Sequence, residues 1–208
     1  MNVLIAYECS GNTRNAFRDL GHNAFSVDLK PSKDDSPFHF TCDALEVMMC
    51  HNAIANADQW DLIIMHPDCT ALAVSGNSTY AKGKPKYHKR VKAICYTTSA
   101  FHLAQRCAKS VCMENPVGVL PIKATQYIQP YQFGHPESKK TGLWLYNLEP
   151  LKETNNVKHI FDKLPKSEQQ RLHWLPPSKD RAEIRSITFP GISKAMAEQW
   201  GVDTQLHN

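Results

Sequence analysis

The residues best suited to chemistry sit in short stretches that each close an apolar run. In "MHPDCTALAVSGN" (65–77), His66, Pro67, Asp68 and Cys69 follow the apolar segment 61–65. A cysteine attacks as its thiolate. A neighbouring histidine or helix N-terminus enlarges the thiolate fraction, and a neighbouring carboxylate shrinks it. His66 and Asp68 therefore pull Cys69 in opposite directions, while Pro67 stiffens the turn that presents it. The plainer reading of Cys69 is a small packed side chain. In "SVCMENPVGVL" (110–120), Glu114, Asn115 and Pro116 close a second apolar run. Glu114 is either a cap at a strand end or, if it shares a cleft with Cys69, an acid whose affinity for its proton is raised by burial.

Two further stretches suit binding. In "ECSGNTRNAF" (8–17), Glu8, Ser10, Gly11 and Asn12 lie where an apolar run turns into a helical pattern. In open α/β sheets that is where helix N-terminal amides meet ligands, although one glycine is a weaker sign than three. Asp28 ends the next apolar run and suits a ribose diol or, equally, a turn. Asp43, in "FTCDALEV", is either the N-cap of a helix or a contact for an adenine amino group. Basic residues gather in "YAKGKPKYHKRVK" (80–92), which holds Lys82, Lys84, Lys86, Lys89, Arg90 and Lys92 with no acid. That segment is either a solvated loop or one that faces phosphates. In "QPYQFGHPESKKTGLWL" (129–145), His135, Lys139 and Lys140 pose the same choice between an exposed basic hairpin and contact with phosphate or substrate.

The elements that must position these residues alternate. Residues 2–7 read as a strand, 13–20 as a helix stopped at Gly21, and "NAFSVDLKPS" as a second strand ending at Asp28. A helix is expected from about Ala44, a strand over 61–65, a helix from about Val91 to Lys109, and a strand through "SVCMENP". Apolar strands alternating with helices predict right-handed crossovers and a mostly parallel sheet covered on both faces. The tail is less regular, with one or two strands around 128–151. "KSEQQRLHWLPPSKDRAEIRS" (166–186) carries a Pro-Pro pair that forbids one continuous helix. A terminal helix is expected over 193–200, stopped at Gly201.

Bulk properties narrow the class. With 42% hydrophobic and 21% charged residues among 208, the chain has the composition and length of one globular domain. The expected division is a cofactor and catalytic half over 1–120 and a smaller, irregular half over 121–208 whose last helix packs back. No apolar run nears the roughly 18–20 residues that span a membrane, and the first residues lack a signal-peptide pattern. An intracellular location is therefore expected. Seven cysteines without a CxxC pair argue against a disulfide framework and a zinc ribbon, so no metal site is expected. A formal charge of +4 is too small by itself to mark a nucleic-acid binder.

Taken in order, these stretches resemble the DNA (cytosine-5) methyltransferases, and more closely their short phage-type members. "IAYECSGNTRNAFRDLGHNAFSVDL" is similar to that family's opening cofactor loop and acidic strand. "MHPDCTALAVSGN" is similar to its Pro-Pro-Cys segment, "MENP" to its Glu-Asn-Val segment, and "SITFPGISKAMAEQWG" to its closing helix. The resemblance implies a Rossmann-like, S-adenosylmethionine-dependent methyltransferase fold and a location in the cytoplasm of a phage-infected or prophage-carrying bacterium. It assigns catalysis to Cys69, attacking carbon 6 of cytosine, and Glu114, holding ring nitrogen 3. Glu8, Ser10, Gly11, Asn12, Asp28, Asp43 and His66 go to the cofactor. Lys82, Lys84, Lys86, Lys89, Arg90, Lys139 and Lys140 go to DNA. The chain departs from the pattern in three ways. Asp68 replaces the second proline. There is no Gln-x-Arg-x-Arg segment, whose charges Lys139, Lys140, Arg181 or Arg185 could replace. The chain also has no room for a large target-recognition domain. Two other readings stay open: a nucleic-acid or nucleotide binder without turnover, and an enzyme acting on a free pyrimidine nucleotide or a single strand.

Overall fold

The computed structural model describes residues 1–176 and 178–202. Seven strands are present among the described residues: β1 (Asn2–Ala6), β2 (Asn23–Asp28), β3 (His39–Thr41), β4 (Trp60–Met65), β5 (Ala108–Pro116), β6 (Gln126–Ile128) and β7 (Thr141–Tyr146). They join one sheet in the order β3-β2-β1-β4-β5-β7-β6. Every pair from β3 to β5 is parallel, and β7 runs antiparallel to both β5 and β6. The helices, in chain order, are α1 (Asn12–Asp19), α2 (Ala44–Met49), α3 (His51–Ala55), α4 (Asn77–Tyr80), α5 (Tyr87–Cys107), α6 (Lys158–Phe161), α7 (Lys166–Gln169), α8 (Arg181–Ser186) and α9 (Pro190–Trp200).

The period-2 alternation of strand side chains sorts the core into two layers. Leu4, Ala6, Ile63, Met65, Val111 and Met113 pack on one face with α2 and α5 residues such as Val47, Met48, Ala100 and Ala104. Val3, Ile5, Leu62, Ile64 and Cys112 face the other way, onto Phe17 of α1 and Ile192, Met196 and Trp200 of α9. Strands buried on both faces read as unbroken apolar runs, which is why β1 and β4 were legible. Each such Leu, Ile or Val contributes about 1.5–3 kcal/mol on leaving water. The fold is Rossmann-like α/β with a mostly parallel sheet and helices on both faces, the class expected from the sequence. No helix among the described residues is long and apolar enough to cross a membrane.

Two boundaries differ from expectation. Helix α5 starts at Tyr87, not Val91, so Lys89, Arg90 and Lys92 ride on a helix while Lys82, Lys84 and Lys86 precede it. Helix α9 starts at Pro190, because a proline at the first helical position loses no hydrogen bond and already has the required φ. Of the 166–186 stretch, the described residues form α7, turns and α8 in place of one continuous helix, and Pro177 lies outside the described residues.

Candidate active site

Chain order along the sheet reverses between β1 and β4: β2 and β3 lie on one side, β5 and β7 on the other. Beyond the carboxyl ends of the strands at such a reversal the loops diverge and leave a crevice. A cavity of about 1390 Å³ occupies this place, lined by Glu8, Ser10, Asp28, Asp43, His66, Cys69, Glu114, Lys139 and Lys140 among others. Gly11, Asn12, Lys82, Lys84, Lys86, Lys89 and Arg90 are not among its lining residues.

The loop after β4 is built to one shape. The Asp68 Oδ1 accepts from the Thr70 amide at 2.9 Å and the Thr70 hydroxyl at 2.6 Å. This is an Asx-type turn, which a proline at 68 could not make. Asn115 at the end of β5 donates from Nδ2 to the Pro67 carbonyl at 3.0 Å. Arg90 reaches in from α5 and donates to the carbonyls of Ala71 (2.7 Å) and Ala73 (3.2 Å) and to Oδ1 of Asn77 (2.8 Å). Val119 and Leu72 join backbones at 3.0 Å, and a Cβ on Gly118 would stand 2.6 Å from the Leu72 carbonyl oxygen. Only glycine permits that approach. Arg90 is therefore corrected from a phosphate contact to a buried strut of the loop, its guanidinium spent on carbonyls and 5% exposed.

Cys69, on this loop, shares the cavity with Glu114. Burial pushes the Cys69 thiol up, and the charges of Glu114 and Asp68 push the same way; Lys139 and a backbone hydrogen bond oppose them without prevailing. Glu114 behaves oppositely. Burial alone would raise it, but the His66 hydrogen bond, the charges of Lys139 and His66, and the Thr141 hydroxyl hold its carboxyl below the usual range. The His66 Nδ1–H donates to Glu114 Oε2 at 3.1 Å, with the Thr188 Oγ1 3.4 Å from the same nitrogen. The resting site thus has a protonated sulfur and an ionised carboxylate. His66, expected among the cofactor contacts, is bonded to Glu114.

At the β1 end, Glu8 is turned inward. Its carboxylate accepts from the amides of Thr13 (2.8 Å) and Arg14 (3.2 Å) and from the Ser10 hydroxyl at 3.2 Å. It thereby satisfies the orphan amides that open α1. Gly11 has φ 78°, and a Cβ there would meet the buried Arg14 guanidinium at 2.5 Å. That guanidinium bonds Ser26 at 2.8 Å and pairs with Asp34. The Asn12 Nδ2 donates to the Thr188 carbonyl at 3.1 Å, tying α1 to the segment before α9. Asp28 uses Oδ1 on the Lys30 amide at 2.9 Å, and Asp43 caps α2 through the Leu45 amide at 2.9 Å. Both also line the cavity.

The tail brings in Arg181 and Arg185, which the sequence offered as substitute charges, and Thr188 and His173, which it did not. Thr188, Arg181, Arg185 and His173 form part of the cavity wall, as do Tyr7 and Tyr96. The two tyrosine hydroxyls are 3.1 Å apart. Lys139 donates from Nζ to the Ile187 carbonyl at 3.2 Å, and Lys140 lies 4.8 Å over the Tyr127 ring. His135 is instead a fold contact: its Nε2 accepts from the Gly191 amide at 2.9 Å at the start of α9. Lys82, Lys84, Lys86 and Lys89 are exposed outside the cavity.

No protein-family model matches the chain, and no curated protein matches it. Among solved structures, the chain is similar to the crystal structure of S. pombe Dnmt2 methyltransferase. Identity is 15% and the TM-score 0.44, over 86% of this chain and 60% of that one. The chain thus spans less than two thirds of the protein it matches.

Proposed function

We propose that this chain methylates carbon 5 of cytosine in DNA, with Cys69 as nucleophile, Glu114 as proton-transfer group and S-adenosylmethionine as methyl donor. The observation that carries the reading is the meeting of Cys69 and Glu114, from two different strand ends, in one cavity that also holds Asp28 and Asp43. The residues present fit the cofactor. Glu8, Asp28 and Asp43 bring carboxylates to that cavity for a cationic sulfonium, with Lys30 and Lys33 also in its lining. Leu29, 78% exposed beside Asp28, offers an apolar face to a purine. Asp28 has acceptor capacity beyond its Lys30 bond for a ribose diol. When bound, S-adenosylmethionine supplies the methyl group that carbon 5 accepts.

The chain's own groups prepare that carbon. The Cys69 sulfur gives up its proton and bonds to carbon 6. The C5–C6 π pair moves to C4–C5, and the C4–N3 π pair moves to nitrogen 3, which takes a proton from Glu114. Carbon 5 of this enamine is nucleophilic, which an aromatic carbon is not. Once carbon 5 carries the methyl group, its proton passes to solvent and the C5–H pair re-forms the C5–C6 double bond. The sulfur leaves with the C6–S pair, while nitrogen 3 returns its proton to the Glu114 carboxylate. A base within a duplex must leave the stack to reach the cavity. The exposed lysines of 82–89, and Lys139 and Lys140, would meet the phosphates.

The deciding experiment offers the protein DNA containing 5-fluorocytosine, whose carbon 5 cannot lose a proton. A covalent adduct is expected with single-stranded or duplex DNA, and none after Cys69→Ser. Methyl transfer that survives Cys69→Ala would rule the mechanism out. S-adenosylmethionine should raise the unfolding temperature by mass action. A binder without turnover is the second reading, favoured by the raised Cys69 thiol. It predicts the cofactor or DNA complex without any adduct.

A further inference from the structure

The loop-built site contains one pairing that the roles above leave unused, between His66 at the end of β4 and Glu114 near the end of β5. Parallel pairing sets Met65 beside Met113, so the next residue on each strand brings His66 against Glu114. Both side chains are about nine-tenths buried, with 8% and 10% of their surfaces exposed. A histidine kept only for packing has both ring nitrogens satisfied. His66 does not: Nδ1 serves Glu114, and Nε2 is buried without a hydrogen-bond partner. The ring is held in place through Nδ1 alone, by the carboxylate at 3.1 Å and the Thr188 hydroxyl at 3.4 Å. The other groups that act on Glu114 are Lys139 ahead of β7, the Thr141 hydroxyl of β7, Cys69 on the loop after β4, and Cys112 on β5 itself.

We propose that His66 is a positioning residue that keeps Glu114 a carboxylate in the resting site, so that Glu114 acts first as base and then as acid. The inference rests on the cytosine reading. Glu114 takes the proton from the Cys69 sulfur as the S–C6 bond forms, and gives that same proton to nitrogen 3 as the ring gains the electron pair. One proton travels from sulfur to nitrogen, so no outside base is needed for the addition. The Nδ1–H occupies Oε2 and the Thr141 hydroxyl also bonds the carboxylate, so the proton is exchanged at a lone pair that these two donors leave open. The lowered Glu114 carboxyl and the raised Cys69 thiol agree with this starting state.

The test uses the full chain with ¹³C-labelled glutamate, following the Glu114 carboxyl by NMR across pH, beside adduct formation on 5-fluorocytosine DNA. His66→Asn places an amide N–H where Nδ1 was, and His66→Leu removes it. In the leucine variant the carboxyl midpoint is expected to move up and the acid limb of the adduct rate to move up with it. The asparagine variant should track the wild type in both. His66→Gln, whose amide falls where Nε2 was, repeats the loss if the leucine variant does not fold. An unchanged Glu114 midpoint in the leucine or glutamine variant overturns the proposal. A shifted midpoint with an unshifted adduct profile also overturns it. If the wild type forms no adduct while the midpoint still shifts, the cytosine reading fails and the proton route with it. The coupling of His66 to Glu114 then stands by itself.

Discussion

At the scale of single residues, the site is a contest of charges around two protons. Glu114→Gln preserves shape but cannot carry a proton, so methyl transfer should fall by about 10²–10⁴-fold. S-adenosylmethionine binding, read by calorimetry, should be unchanged. Lys139 lowers both Cys69 and Glu114. Lys139→Met therefore raises Cys69 further and brings Glu114 back up toward its ordinary range. At fixed neutral pH the thiolate fraction shrinks, and the rising limb of adduct formation against pH moves to higher pH. A stopped-flow pH series on fluorinated DNA reads this directly, and an unmoved limb would deny Lys139 its role. Cys69 and Glu114 stood out in the sequence because each polar residue closes an apolar run, where a packed strand has no use for it. The His66–Glu114 bond did not stand out. It depends on the β4–β5 register, and a single sequence with two equally apolar strands carries no mark of register.

At the scale of elements, the loop from Pro67 to Val74 shows how neighbours determine a nucleophile's position. Asn115 holds it from β5, Gly118 lets the 117–119 backbone close on it, and Arg90 ties its carbonyls to α5. Asp68, the apparent misfit beside Cys69, closes the turn through Thr70 and is itself exposed. Its cost is a charge that pushes the thiol up. The strands and long helices were legible from period and punctuation, yet Arg90 read as one more cation in a basic run. Composition cannot separate it from its neighbours, because helix α5 turns this one side chain inward and leaves Lys89 and Lys92 in solvent. The two roles predict different variants. Arg90→Met strands the Ala71 and Ala73 carbonyls, so denaturant unfolding should show a loss of about 1–3 kcal/mol. The salt dependence of DNA binding should keep its slope. A lost slope with unchanged stability would restore Arg90 to the phosphate face.

At the scale of the whole molecule, charge is arranged by location while the net value stays small. Glu8, Asp28 and Asp43 line the cavity from the ends of β1 and β2 and the start of α2, with Lys30 and Lys33 near Asp28, and Lys139 and Lys140 line it ahead of β7. The lysines of 82–89 stand in solvent on the segment that leads from the cavity-lining residues Val74–Gly76 into α5. The tail's share in this arrangement was legible only in part: the last helix was expected to pack back and Arg181 and Arg185 stood out as charges, but the cavity wall they join was not. Leu172, His173, Arg181, Arg185 and Thr188 form cavity wall only because α9 packs on α1 and carries the preceding segment back over the sheet edge. Such long-range closure has no local pattern to read. The exposed lysines are spent on no internal bond that shapes the site, so their value lies in solvent, where a polyanion releases counterions on binding. Replacing Lys82, Lys84 and Lys86 together with alanine should leave the melting temperature in place. It should lower the slope of log affinity against log salt by about 0.7–0.9 for each phosphate that is no longer neutralised. Adduct formation at saturating DNA should persist, since the three side chains lie outside the cavity. If slope and affinity both hold, phosphates are met elsewhere, and the basic rim of Lys139, Lys140, Arg181 and Arg185 becomes the face to test.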